Sequence, residues 1–325
     1  MKEVFVKDLK PGQRASSAFV VQKKQMLPFK DPSKGSYLLL SLADKTGVIE
    51  ARVWDGATEI HEWLQTGDVV LVAGNVEEYR GNAQLVVQMM RPVPDNEIDQ
   101  EDFLPRSTFS TEQLWQNVQA VMANIANPHL RRLVGDWFEE EKWRDTFLTA
   151  PAAQQVHHAY LGGLAEHSLE VVRLLEALRD TQPFLNMDLL RCGGLLHDIG
   201  KIREYTFQTM IDMTDYGRLI GHTVMGYEIV MARIERYPGF PPDLALAMGH
   251  LILSHHGELA YGAPVLPQTA EAAALHYADL MSARVARFSL HLAANEDGSD
   301  RWSGFDRILK RNIFIKNDLQ GSCGL

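Results

Sequence analysis

Over residues 1–93 apolar and polar positions alternate in short runs broken by turn residues. Beyond residue 111 the apolar positions recur at helical spacing instead. "SYLLLSLAD" and "GVIEARVWD" are extended runs on either side of Asp44-Lys45-Thr46-Gly47. In the second run Val48, Glu50, Arg52 and Trp54 share one face, and Ile49, Ala51 and Val53 the other, the period of two that a half-buried strand requires. "GDVVLVAGNVEEY" and "AQLVVQMMRPV" flank "RGN", which is hairpin chemistry. Five strands are expected, over 13–24, 36–43, 47–54, 68–79 and 83–91, with a short helix in "GATEIHEWLQTG" between the third and fourth. Thr111 can cap "EQLWQNVQAVMANI". Further helices are expected near 129–139, 143–148, 163–180, 187–197, 221–236, 242–255 and 269–292. There is no internal repeat.

Five strands with a helix inserted after the third predict a small Greek-key barrel of the OB type. The helical half predicts an all-α bundle. The stretch 92–110, "PVPDNEIDQEDFLPRSTFS", has three prolines and five acids and reads as a solvated connection. The expected organisation is therefore a barrel over 1–93, a linker over 94–110, a helical domain over 111–318 and a tail over 319–325.

The chain has 325 residues and 46% hydrophobic content, which fits one large or two ordinary soluble domains. No apolar run reaches the roughly 18 residues of a membrane span, and "MKEVFVKDLKPGQ" lacks the apolar core of a signal peptide. Cys192 lies in an apolar helical run and Cys323 in a polar tail, so no disulfide framework is expected. Together these features suggest the cytoplasm and no membrane partner. The net charge of −10 argues against a surface built for duplex DNA. It is unevenly spread: residues 1–94 hold 12 basic and 11 acidic side chains, and the remainder 20 and 31. A near-neutral module precedes an acidic one.

Eleven of the twelve histidines lie in the helical half. His167 sits on the amphipathic run "GGLAEHSLEVV". His197 and Asp198 close the Leu-rich run "GGLLHDIGK". His222 opens "IGHTVMGYEIV", and His255 and His256 end "ALAMGHLILSHHG", with Gly257 as the stop. Each histidine alone is compatible with an ordinary core or surface role. Asp279, inside "AAALHYADLMSARV", is more anomalous, because a carboxylate among apolar neighbours needs a cation or several donors. Histidine and carboxylate groups on separate helices suit a divalent metal, and a bridging Asp suits two. No cysteine joins them, which excludes the closed thiolate zinc sites.

The ordered set His167, His197-Asp198, His222, His255-His256 and Asp279, with "HDIGK" and "SHHG" as local contexts, resembles the HD-domain metal-dependent phosphohydrolases over roughly 145–315. Both halves together resemble the YhaM-type 3′→5′ exoribonucleases. "PAAQQVHHAYLGGLAEHSLEV", "GAPVLPQTAEAAALHYADL", "FDRILKRNIF" and, in the barrel, "YRGNAQL" are similar to that family's sequences. One departure is visible: Leu280-Met281-Ser282, after Asp279, lacks the Asn and second Asp of many members.

The resemblance implies that His167, His197, Asp198 and Asp279 surround one metal, and that Asp198 bridges to a second held by His222, His255 and His256. It implies that Lys201 faces the substrate phosphate and that the reaction is hydrolysis at the 3′ end of single-stranded RNA, with single-stranded DNA a further candidate. Manganese is the first expectation for the ions, with cobalt, iron or zinc also compatible. His157 and His158 are candidates for phosphate contact or proton donation, with a structural role equally open. His250 and His276 read as core or as support for ligands. Tyr37, Arg52, Trp54, Tyr79 and Arg80 are the candidate strand contacts on the barrel, and burial of Tyr37 and Trp54 in the barrel core is the rival reading. At the level of the whole chain two alternatives stand beside the exoribonuclease. One is an HD phosphodiesterase acting on nucleotides or cyclic dinucleotides, with the barrel as the contact of a homo-oligomer. The other is a non-catalytic single-strand-binding protein with a structural metal.

Overall fold

The computed structural model describes residues 2–31, 33, 35–154, 158–293 and 300–315. It divides into two compact units: Met1–Arg106 with Thr206–Asp212, and Ser107–Tyr205 with Met213–Leu325.

The first unit is built on a closed barrel of strands β1 (Arg14–Pro28), β2 (Ser36–Asp44), β3 (Gly47–Val53), β4 (Val69–Tyr79) and β5 (Asn82–Pro92), in the order β1-β2-β3-β5-β4. Helix α1 (Ala57–Trp63) lies between β3 and β4, as the pattern predicts. β1 is longer than expected, and its length closes the barrel. Arg14–Val20 pairs with β4, and after an irregularity at Val21/Lys23 the strand continues to Pro28 along β2. A second irregularity, at Ala73/Gly74, depends on glycine: a Cβ there would lie 2.1 Å from the Val86 carbonyl oxygen. The β2–β3 turn is held by Asp44, whose Oδ1 accepts from the Thr46 amide at 2.8 Å. The β4–β5 turn places Arg80 and Gly81 at φ +53° and +80°, the left-handed pair of a tight hairpin.

Alternation along β2 and β3 sends Leu38, Leu40, Leu42, Ile49, Ala51 and Val53 into one core with Phe19 and Leu85. Residues 94–110 are mostly exposed, but Phe103, Leu104 and Ser107 are buried. Phe103 packs with Ala18, Val20, Ala43, Val69 and Val93 on the outside of the barrel.

The second unit is helical: α2 (Thr111–Ala123), α3 (Pro128–Glu139), α4 (Glu141–Thr149), α5 (Gly163–Glu176), α6 (Met187–Leu196), α7 (Lys201–Glu204), α8 (Asp215–Ile220), α9 (His222–Ile234), α10 (Pro242–Ser254) and α11 (Ala270–Ala293). The first cap differs from expectation. Ser110 is the N-cap, in a capping box with Gln113, and Thr111 is the first helical residue. Ser110 wins because its side chain is three residues before a glutamine that can answer it. α7, α8 and the short strands β6 (Tyr205–Phe207) and β7 (Ile211–Met213) escaped the periodicity reading, being too short to show a period. α6 is the centre of the bundle, packed against α5, α10 and α11. Two glycines permit this. A Cβ on Gly193 would lie 2.7 Å from Leu251, and one on Gly194 2.7 Å from Val172. Among the described residues, no helix is long and apolar enough to cross a membrane.

Candidate metal centre and nucleic-acid face

α6 ends at Leu196, and His197 and Asp198 follow it as almost fully buried residues. α5 supplies His167, α9 begins with His222, α10 delivers His255 and His256 just past its last turn, and α11 carries Asp279. The seven side chains converge. His167, His197 and Asp279 form one group, and His222, His255 and His256 another, with the donor atoms of each group within 4.8 Å of one another. Asp198 lies between them. Its Oδ2 is 3.4 Å from both His167 Nε2 and His197 Nε2. Its Oδ1 is 3.4 Å from His222 Nε2 and 3.5 Å from His255 Nε2. One carboxylate therefore presents one oxygen to each group.

The imidazoles are oriented from behind. His197 Nδ1 donates to the Gly194 carbonyl at 2.9 Å, His255 Nδ1 to Ile252 at 2.7 Å and His256 Nδ1 to Tyr261 at 2.8 Å. His222 Nδ1 donates to Glu204 Oε1 at 3.1 Å, and His167 Nδ1 meets Ser282 Oγ at 3.1 Å. At His197, His222, His255 and His256 the acceptors at Nδ1 hold the proton there and leave the Nε2 lone pairs pointing inward, the arrangement in which neutral histidine binds a cation. Asp198 Oδ1 and His255 Nε2 are buried and have no hydrogen-bond partner among the described residues. Such orphaned atoms are costly unless something else satisfies them. A divalent cation fits the donor set, and both groups can hold one.

The electrostatics agree. Burial alone would raise the Asp198 carboxyl, but the Lys201 ammonium and the surrounding imidazoles hold it well below the usual carboxylate range. Burial would lower His167, yet Asp198 and Asp279 beside its Nε2 hold it at about 9. The first group thus attracts positive charge, and a bound metal would displace that proton. Burial pushes His255 and His256 down, so they stay neutral and ready to ligate.

The remaining sequence candidates fall as follows. Lys201 Nζ is 2.6 Å from Asp198 Oδ2, at the edge of the centre. His158 is buried at φ +57°, its Nε2 3.4 Å from Glu170 Oε2 and its ring 5.4 Å from that of His167. His157 lies outside the described residues. His276 is buried and donates to the His255 carbonyl at 2.9 Å, backing the second group. His250 lies apart from both groups and accepts from the Gln268 amide at 2.9 Å.

Sequence reasoning missed Glu204 and Ser282. Glu204 accepts from both the backbone and the Nδ1 of His222. It follows Lys201 by three residues, so helical spacing could have carried it back toward the site. Ser282, in the stretch that departs from the family pattern, is the residue that meets His167.

The glycine of "HDIGK" has a packing role. A Cβ on Gly200 would lie 2.0 Å from the His222 carbonyl oxygen and 2.8 Å from the Gly226 nitrogen. Gly200→Ala is expected to push α9 and His222 away from Asp198, costing about 3 kcal/mol. Calorimetry should then show a melting temperature lower by roughly 6–12 °C.

On the barrel, Tyr37 and Trp54 lie outside the core, on the outer face of β2 and the end of β3. Their ring centroids are 4.8 Å apart. Phe29, which the sequence reading did not single out, stacks on Trp54 at 5.9 Å. The Arg52 guanidinium lies 5.6 Å from the Trp54 ring centroid and 4.7 Å from that of Tyr79, and Arg80 lies 5.2 Å from Tyr79. Half-buried aromatics interleaved with arginine form a surface on which bases can stack.

The HD domain family matches residues 164–284, and the OB-fold nucleic acid binding domain family matches residues 20–93. The 3′-5′ exoribonuclease YhaM of Bacillus subtilis (strain 168) is 33% identical over 272 residues, covering 81% of this chain and 85% of the relative. That of Bacillus pumilus (strain SAFR-032) is 34% identical, covering 77% and 79%. That of Oceanobacillus iheyensis is 33% identical, covering 77% and 78%. One-third identity across both the barrel and the helical half bears out the resemblance seen in the motifs: the chain belongs to the YhaM-type 3′-5′ exoribonuclease family, an OB-fold barrel followed by an HD domain.

Proposed function

We propose that the protein is a metal-dependent 3′→5′ exoribonuclease that hydrolyses phosphodiester bonds of single-stranded RNA, with single-stranded DNA as a second substrate. The observation that carries this reading is Asp198, which offers one oxygen to each of two ligand groups. The two groups support two ions, with His167, His197, Asp198 and Asp279 holding one and Asp198, His222, His255 and His256 the other. Mixed nitrogen and oxygen donors suit manganese first, and cobalt, iron or zinc also.

Divalent cations held there would neutralise charge on the scissile phosphate and acidify water at neutral pH. The protein's own groups do the rest. Lys201, 2.6 Å from Asp198 Oδ2, would set its ammonium against charge developing on the phosphoryl oxygens. The Nδ1 acceptors keep the imidazoles in place, so that little reorganisation is needed as the reaction proceeds. The barrel's Phe29, Tyr37 and Trp54 face favours a strand over a mononucleotide, because stacking one base on such a surface leaves room for the next.

Digestion of a 5′-labelled single-stranded RNA with added manganese tests the reading. A ladder that shortens from the 3′ end is the expected result, and intact RNA or random internal cuts would contradict it. Trp54→Ala should weaken binding of a labelled oligonucleotide at least fivefold, the loss of about one stacked base. Fluorescence anisotropy reads this directly, and an unchanged affinity would remove the aromatic face from the account.

A further inference from the structure

One motif remains without a role in this account: "FDRILKRNIF", residues 305–314. Asp306 anchors it to α11, accepting from Arg287 Nε at 2.7 Å and His291 Nε2 at 2.6 Å. Its backbone then turns sharply at Lys310, φ +54°. The anchored segment and α11 enclose a cavity of about 430 Å³ with Tyr261 on its rim. That size is within the range of small-ligand sites. Its apolar lining includes Leu280 and the exposed Ile308, and Arg284, Lys310 and Arg311 also line it.

Two of its lining residues are tied to the candidate metal centre, one by the chain and one by a hydrogen bond. Leu280 follows Asp279 on α11. Tyr261, whose side chain is on the rim, gives its carbonyl to His256 Nδ1 at 2.8 Å. Its phenol and the Arg284 guanidinium are 3.4 Å apart. Arg287 is committed to Asp306, but among the described residues no carboxylate pairs with Arg284, Lys310 or Arg311. The chain from residue 95 onward is strongly acidic, with 20 basic against 31 acidic side chains. Three cations that no carboxylate meets among the described residues, beside an exposed tyrosine and apolar side chains, run against that balance. Solvated surface charge does not call for apolar side chains between the charges, and an apolar ligand does not call for three cations. A nucleotide of a single strand satisfies both, with its base on Tyr261, Leu280 and Ile308 and its phosphates among the cations.

We propose that this cavity is the subsite that holds the nucleotide next to the scissile phosphate. The proposal rests on the exoribonuclease reading above and adds where the strand is gripped in the helical unit. It also accounts for the position of Arg284 on the same helix as Asp279: the residue that grips the strand and the residue expected to hold the metal are fixed to one rigid element.

The test uses the whole protein and the double variant K310Q/R311Q, with Tyr261→Ala as an independent second variant. Tyr261→Ala keeps the backbone carbonyl that His256 uses. Thermal melting establishes that each variant is folded. Binding of a fluorescein-labelled single-stranded RNA in EDTA is measured across a salt series, and KM and kcat are measured on the same RNA with manganese. Each lost phosphate contact should flatten the plot of log affinity against log salt by roughly 0.7, so about 1.4 for the double variant. KM should rise about tenfold, with a much smaller change in kcat. Tyr261→Ala should raise KM at least fivefold with the salt slope unchanged, as expected for a stacking contact. Wild-type slope and KM in both variants would overturn the proposal. If instead wild-type protein binds RNA with the steeper slope but does not shorten it, the subsite stands and the exoribonuclease reading fails.

Discussion

Replacing Asp198 with Asn is expected to reduce RNA turnover at least about a thousandfold while leaving single-strand binding near the wild-type value. The expectation follows from geometry. Asp198 is the only described side chain whose two oxygens face both ligand groups. Asn has the same shape but no charge, and its amide nitrogen would face one group as a donor where a ligand is needed. Lys201, 2.6 Å from Asp198 Oδ2, would lose its counter-charge. Unlike a ligand lost from one group, this change weakens both. The readouts are the initial rate on 5′-labelled RNA at saturating manganese and the anisotropy of the same RNA in EDTA. A variant with more than a tenth of the wild-type rate would show that the carboxylate is not shared.

The second large effect is expected at Glu204. Its Oε1 accepts from the His222 amide and from Nδ1, both at 3.1 Å, so it fixes the backbone and the ring together. Burial would raise its carboxyl, but the His222 contacts hold it below the usual range, so it is ionised at neutral pH and a strong acceptor. Glu204→Ala should weaken manganese activation about 10- to 100-fold, the usual consequence of losing a group that backs a metal ligand. The rate should recover at high manganese. Glu204→Gln, whose carbonyl oxygen can still accept both bonds, should fall between the two. Activation curves of the three proteins check this, and coincident curves for wild type and Glu204→Ala would contradict it.

The outline of the candidate metal centre was legible because its residues are out of place in their surroundings. His197 and Asp198 end a buried run, and Asp279 interrupts an apolar one. These anomalies survive in one dimension. Glu204 does not stand out, because an acid in "KIREYTF" is unremarkable until the fold returns it to His222. Ser282 is similar: next to Asp279 it reads as a missing family residue, and only the packing of α11 on α5 turns it toward His167.

The barrel was legible from alternation and turn chemistry, but its closure was not. β1 appears in sequence to end near residue 24. In space it changes partner after Val20 and runs on to Pro28, which brings Phe29 to Trp54. Strand periodicity reports which face a residue takes and not which strand it meets. The same alternation did carry the answer on Tyr37 and Trp54, since neighbours Leu38 and Val53 fill the core and leave them outside.

Anomalous diffraction from manganese-soaked crystals tests the central claim most directly. Two peaks are expected, one on each side of the Asp198 carboxylate, separated by about 3.5–4 Å as in two-metal phosphoryl-transfer sites. The first should contact His167, His197 and Asp279, and the second His222, His255 and His256. No density at Asp198, or ions bound only elsewhere on the protein, would contradict the account.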